Sequence, residues 1–526
     1  MSRRLAAAIP LAAIAAFGAV LAIAPDYVLA PSLPLDDAWT HAVYARSLAT
    51  TGRFEFTPGA PAGGPASPLW ASVMALPHLV ARETGDVVLL VKLAGSALHA
   101  LTALILFYVL TGGQGLSPER LLGPLLVAVH PDLISASLSG VEVPLATTAA
   151  CALVWAAQRA PGWAYGGLAL VVPFVRPELA VLSLAFPPLM HGHDRARLWR
   201  LGAAGLGGTL AAFGLMAAHL APHSSVPRQS ALPGTNGAES VAIVGREVLG
   251  FTRLLDQFPV ADAGLLIIIA AVAAAYFVSR APAVTPELTA ASAMLGGLSF
   301  CAVAFAFLPP VVPGAFYAQR HALPALPLLV GAIPILAYES LRRLLPPRTV
   351  TVVRVAVPLL LVSSVILDMP IRYRYLANDA RNIDEIQVAM ARTLGRGPSS
   401  QVVWASDGGG ALRYFGRGVV IDLSGVNTRA VQTPDAEVFL DAHRPNFIEI
   451  VPRLSSIDGT AARGFPAMSF NATTPDSAAG TPQYKHQRWL VACADASRPE
   501  RFHLRERVFG FRCGEGNLGL LPGPSR

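Results

Sequence analysis

Runs of about twenty apolar residues recur along the chain. A segment of that length crosses a bilayer as a helix or has nowhere to bury its surface. Such segments fall near residues 5–24, 86–110, 120–138, 141–158, 200–220, 262–279, 287–310, 320–340 and 350–368. The stretch 164–190 is too long for one crossing and is interrupted by Arg176, Pro177 and Glu178, so it reads as two short helices meeting at a charged break. Together these give about eleven crossings. Composition agrees: 53% of residues are hydrophobic and 14% charged, where a soluble protein carries about 25% charged residues. That balance excludes a water-soluble enzyme and a disordered scaffold. Against it, a formal charge of +7 is no sign of nucleic-acid binding.

Arginine collects at Arg3 and Arg4, at Arg195, Arg197 and Arg200, and at Arg342, Arg343 and Arg348. The positive-inside rule makes these cytoplasmic. The first apolar segment lacks a small-residue cleavage site and reads as an uncleaved anchor with a cytoplasmic N-terminus. Residues 25–85 then lie outside, as does everything after Asp368. Within that first external loop, Ser67 to Val80 is too short and proline-interrupted to cross, and suits a helix lying at the interface.

The expected architecture is a mainly α polytopic bundle, residues 1–368, followed by an extracytoplasmic α/β domain, residues 369–526. In the latter, Asn382–Gly395 and Pro434–His443 read as helices, and Gln401–Ala405, Val419–Leu423 and Phe447–Val451 as strands. Residues 452–500 read mainly as loop, and Asp407 to Gly410 as a turn rather than a phosphate-binding loop. Cys493 and Cys513 lie in this exported part and are candidates for a disulfide.

The first external loop carries Asp36-Asp37-Ala38-Trp39-Thr40-His41-Ala42-Val43-Tyr44. A helix starting at Asp37 places Asp37, His41 and Tyr44 on one face. Asp36 as N-cap and Asp37 at the positive end of the helix dipole is one reading; catalytic carboxylates are the other, and spacing alone leaves both open. Charges inside apolar segments are more informative, because each costs about 2.5–3.5 kcal/mol unless it faces a polar cavity. Lys92, one of only two lysines in the chain, Glu142, Arg176, Glu178, Arg320 and His321 all fall on the expected outer side. For each a structural role stands beside the functional one: Arg176 pairing with Glu178, Lys92 snorkelling to headgroups, Glu142 capping a helix, Arg320 anchoring a helix end. His130 and Asp132 beside Pro131 read as a kink, and His99 as a packing hydrogen bond.

In order and spacing, Asp36-Asp37-Ala38-Trp39 through Trp70, Ser139-Gly140-Val141-Glu142, Arg176-Pro177-Glu178 and Gln319-Arg320-His321 with its Leu-Pro-rich continuation resemble the GT-C glycosyltransferases that use polyprenyl-phosphate sugars. The nearest resemblance is to terminal arabinofuranosyltransferases and the bacterial relatives of protein O-mannosyltransferases. His321 departs from the aromatic residue usual there. The resemblance implies a bacterial cytoplasmic-membrane enzyme that inverts the anomeric centre while moving a sugar to a hydroxyl of an envelope glycan, lipid or protein. It implies Asp36 as general base, with Asp37 and Glu142 beside it in catalysis. Lys92, Arg176, Glu178, Arg320, His321, His41 and Tyr44 would contact the lipid phosphate or sugar, and Asp36 with Asp37 is the place for a divalent cation in members that use one. A transporter or flippase of envelope lipids, or a non-catalytic assembly protein, would also explain buried charges near an outer vestibule.

Overall fold

The computed structural model describes residues 8–58, 64–112, 117–216, 289–297 and 323–450, less short gaps within the last two, and the segments 455–457, 467–471, 487–492, 499–504 and 507–512. Its helices run α1 (Ala8–Ile23), α2 (Pro25–Leu29), α3 (Asp36–Thr51), α4 (Pro68–Val80), α5 (Thr84–Thr111), α6 (Pro118–Val129), α7 (Pro131–Leu138), α8 (Val143–Arg159), α9 (Gly162–Val175), α10 (Ala180–His191), α11 (Arg195–Leu215), α12 (Leu326–Leu344), α13 (Pro347–Ile383), α14 (Ala389–Leu394), α15 (Gly410–Phe415) and α16 (Ala436–Ala442). The strands are β1 (Val402–Ala405), β2 (Val419–Asp422), β3 (Phe447–Ile450), β4 (Ser455–Ile457), β5 (Ala467–Asn471), β6 (Gln487–Ala492), β7 (Pro499–Leu504) and β8 (Arg507–Arg512).

Two compact units divide the chain: the described residues of Met1–Val28, Lys92–Leu215 and Thr235–Arg374 form one, and those of Leu29–Val91 and Tyr375–Arg526 the other. The first is helical throughout. Small residues let its helices approach closely: a Cβ at Gly123 of α6 would lie 2.8 Å from the Cα of Gly331 in α12. Some polar side chains find partners across helices. Tyr165 donates from its hydroxyl to the Ser183 carbonyl at 2.7 Å, and Thr102 and Thr148 share a 2.8 Å hydroxyl contact.

The expectation of about eleven full spans is not met helix by helix. Among the described residues, α5 alone is long and apolar enough to cross a bilayer, and α6 with α7, bent by 42° at their break, qualify as a pair. Proline sets the lengths. Pro131 supplies no amide to the helix before it, and Pro161 and Pro177 bound α9 to 14 residues. The break at Arg176-Pro177-Glu178 divides α9 from α10 where the sequence places it. Segment 262–279 and most of 287–310 lie outside the described residues.

In the second unit, α4 packs along α3, and Ser67 caps α4 by accepting the Trp70 amide at 3.4 Å. The main sheet has order β2-β1-β3-β6-β5, with β2, β1 and β3 parallel and β6 and β5 antiparallel; β4, β7 and β8 form a second, antiparallel sheet. Three of the sequence-derived strands fall where expected. Within residues 452–500 the described residues form β4, β5, β6 and the start of β7, which the sequence does not announce because partner strands supply the pairing of such short runs. The helix read at Asn382 is the continuation of α13, which passes through a π turn at Asp384–Val388 into α14. No glycine interrupts residues 347–394 to end it.

Candidate functional site

Each unit gathers its own polar cluster. In the second unit, α3 begins at Asp36 with Leu35 at the cap position and no side-chain capping bond. Of the two readings left open for Asp36, this sets aside the one in which it caps its own helix. Its carboxylate instead accepts two amide hydrogen bonds from the start of α15, Gly410 N–H to Oδ2 and Ala411 N–H to Oδ1, both at 2.9 Å. The glycine turn makes this approach feasible: Gly409 takes the left-handed conformation, φ 71°, and a Cβ at Gly410 would collide with the Asp36 carbonyl and come 2.5 Å from the Thr40 amide. Asp36 is 6% exposed, while Asp37 is half-buried. Two N–H donors stabilise the charged carboxylate and fix its plane.

Farther along α3, His41 and Tyr44 are buried. Tyr44 donates its hydroxyl to Asn427 Oδ1 at 3.2 Å. Burial raises the Tyr44 phenol above the ordinary tyrosine range, and the Asp422 carboxylate adds to the rise. Asp422 ends β2 and holds the following loop by accepting the Ser424 amide at 2.9 Å and the Asn427 amide at 2.8 Å. Arg46 donates to the Tyr414 carbonyl at 2.8 Å and lies over the Tyr414 ring, while Trp39 packs against Tyr414 and Phe415 with centroids 4.9 and 4.6 Å away. Sequence reasoning missed Arg46, Tyr414, Asp422 and Asn427. Arg46 meets Tyr414, and Tyr44 meets Asn427, across more than 360 residues, beyond any spacing rule, while Asp422 matters through the loop that carries Asn427.

In the helical unit, Arg176 bridges two carboxylates. It donates from Nη1 to Glu142 Oε1 at 2.9 Å and pairs with Glu178. Glu142 stands at the cap of α8 without a side-chain capping bond, so its carboxylate serves Arg176 and not the helix end. Lys92 does not snorkel: it is 2% exposed, donates to the Tyr27 carbonyl at 2.7 Å and lies 4.2 Å over the Tyr27 ring. Tyr27, also missed, anchors this end of α2 through its hydroxyl to the Leu138 carbonyl at 2.9 Å.

His99 accepts the bland role expected of it, meeting the Ala128 carbonyl at 3.1 Å. Asp132 does more than kink the chain and lies 3.4 Å from Arg372. Arg320, His321, Cys493 and Cys513 lie outside the described residues. Among the described residues no three His, Cys, Asp or Glu side chains gather as a ligand set.

No protein-family model matches the chain, and no curated protein sequence matches it. Among solved structures, its fold is similar to that of ArnT from Cupriavidus metallidurans bound to undecaprenyl phosphate. The two share 13% sequence identity over 91% of this chain and 97% of that chain, with a TM-score of 0.50. The likeness is one of fold, and the chain is a mainly helical protein with a small sheet, of that architecture.

Proposed function

We propose that the chain is a polytopic membrane glycosyltransferase that moves a sugar from a polyprenyl-phosphate donor to a hydroxyl group of an envelope glycan, lipid or protein. One agreement carries this reading: the motifs imply a polyprenyl-phosphate donor, and the fold is shared with a protein whose structure holds undecaprenyl phosphate, a lipid of that class. In this reading the chain lies in a bacterial cytoplasmic membrane, with the N-terminus inside and the domain after Asp368 outside.

The chemistry is a single inverting displacement. The acceptor oxygen forms its bond to the anomeric carbon as the bond to the phosphate oxygen breaks, and the hydroxyl proton passes to a carboxylate. Asp36 is assigned as that base. Its two amide bonds hold its plane still, which favours orientation toward the acceptor hydroxyl. Asp37, His41 and Tyr44 are assigned to substrate positioning along the same helix. Polyprenyl phosphate leaves with growing negative charge, for which Lys92, Arg176, Arg320 and His321 are the proposed stabilising groups. Glu142 and Glu178 orient the Arg176 guanidinium.

The test is release of free polyprenyl phosphate from a panel of polyprenyl-phosphate sugars by the full chain in lipid, with and without candidate acceptors. Asp36→Asn is expected to lower release by about 10²–10⁴-fold while thermal unfolding still reports a folded protein. Undiminished release by that variant removes Asp36 from the base role. Lipid movement across the bilayer without sugar release would favour the transporter reading.

A further inference from the structure

One end of the helical unit combines features that no catalytic role uses. Here α8, α9 and α11 meet. Arg197 donates to the Gln158 carbonyl at the end of α8, and Gly162 at the start of α9 lies against the Arg200 carbonyl in α11, with a Cβ there 3.5 Å away. Close packing of α9 on α11 continues from that point, where a Cβ at Gly166 would lie 3.1 Å from the Ala204 carbonyl. These contacts place Arg159, Arg195 and Arg200, all exposed, around one rim. The acidic residue in this stretch, Asp194, accepts the Arg197 amide on Oδ1 at 3.0 Å and keeps its charge near Arg200, so three arginines face one carboxylate and the rim stays net positive. His193 is exposed beside it and His191 is turned to the Ala157 carbonyl.

Aromatic rings ring the same end. Trp163 is 82% and Trp199 74% exposed. Trp155 lies one turn before Arg159, and Tyr108 offers its carbonyl to Arg159 at 3.4 Å, both with rings exposed. From Trp199 an apolar stripe, Leu206, Leu210 and Phe213, runs outward-facing along α11 at helical spacing. In water such a surface is unfavourable. Against a bilayer each part has a partner: the stripe meets acyl chains, the indoles sit at headgroup level, and the guanidiniums meet phosphate.

We propose that this rim is a docking surface for an anionic phospholipid, its headgroup phosphate held among Arg159, Arg195 and Arg200 and one acyl chain laid along Leu206, Leu210 and Phe213. A zwitterionic lipid satisfies the stripe equally well but carries a cation into the arginine cluster. The preference is therefore set by charge and not by the apolar contact.

Native mass spectrometry of the full chain released from detergent, titrated with phosphatidylglycerol and with phosphatidylcholine of the same acyl chains, tests it. Tighter binding of phosphatidylglycerol is expected. Arg195→Gln with Arg200→Gln should weaken that lipid about five-fold for each guanidinium removed and leave phosphatidylcholine unchanged. Equal affinities in the wild type, or a preference that survives the double variant, would overturn the proposal. Should the double variant fail to fold, quenching by brominated phosphatidylglycerol decides: Trp163→Phe with Trp199→Phe must remove most of the quenching that brominated phosphatidylglycerol adds over brominated phosphatidylcholine. Quenching that the tryptophan variant leaves intact would equally overturn the proposal.

Discussion

Asp36 illustrates how little a motif says about what its side chain touches. An aspartate at a helix start reads as a cap or a catalytic group, and its carboxylate here receives the amides of Gly410 and Ala411, some 375 residues on. Removing it with Asp36→Ala leaves two buried amide donors without that acceptor, and the expected cost is about 2–4 kcal/mol. Gly410→Ala drives a Cβ into Asp36 and Thr40 and should cost about 1–3 kcal/mol. The two effects share one contact, so a double-mutant cycle in denaturant unfolding should show them to be non-additive; strict additivity would mean the contact is not formed. His78 supports a pH prediction. Burial, with Arg46 nearby, depresses its proton affinity below that of an ordinary histidine, while its Nε2 meets the Tyr414 hydroxyl at 3.2 Å. The unfolded chain therefore binds the proton more readily. Stability from this group is complete above about pH 6.5 and is lost as pH falls below that value toward the depressed one. His78→Gln should flatten the acid limb of a melting-temperature profile, and an unchanged limb would assign it to other groups.

At the scale of elements, the break between α9 and α10 was legible because Arg-Pro-Glu cannot continue an apolar helix. What closes the break was not: Arg176 reaches Glu142 at the head of α8 as well as its neighbour Glu178. Arg176→Gln takes the cation from the buried Glu142 and the partly exposed Glu178 and is expected to cost about 3–5 kcal/mol, read as a lower unfolding temperature in detergent. Adding Glu142→Gln to that variant should restore part of the loss. A double variant no more stable than the single one would show that the charge imbalance is not the cause. The strands after Ile450 went unread for a related reason. Each is only three to six residues long, and its identity lies in its partner: β6 pairs with both β3 and β5.

At the scale of the molecule, residues 29–91 and the C-terminal part of the chain form one compact unit. Thr57 donates to the Val420 carbonyl at 2.7 Å, Arg413 to the Phe56 carbonyl at 2.9 Å, and Trp39 rests on Tyr414 and Phe415. Ending the chain after Arg374 removes every one of those partners. Limited proteolysis in lipid should then cut between residues 29 and 91, where the full chain resists. Equal resistance would mean that the loop folds without the sheet.

The apolar runs, the arginine clusters and the proline breaks determined by themselves that this chain is mainly helical, where several of its helices end, and that a mixed α/β part follows. Those are consequences of local chemistry: transfer of side chains from water, the missing amide of proline, and charges that cannot be buried alone. Only the tertiary structure decided which groups meet. Asp36 with the amides of α15, Arg176 with Glu142, and Lys92 with the Tyr27 carbonyl are pairings across long stretches of chain. Hydrogen bonds and ion pairs act over a few ångströms, and that distance is set by packing rather than by position in the sequence.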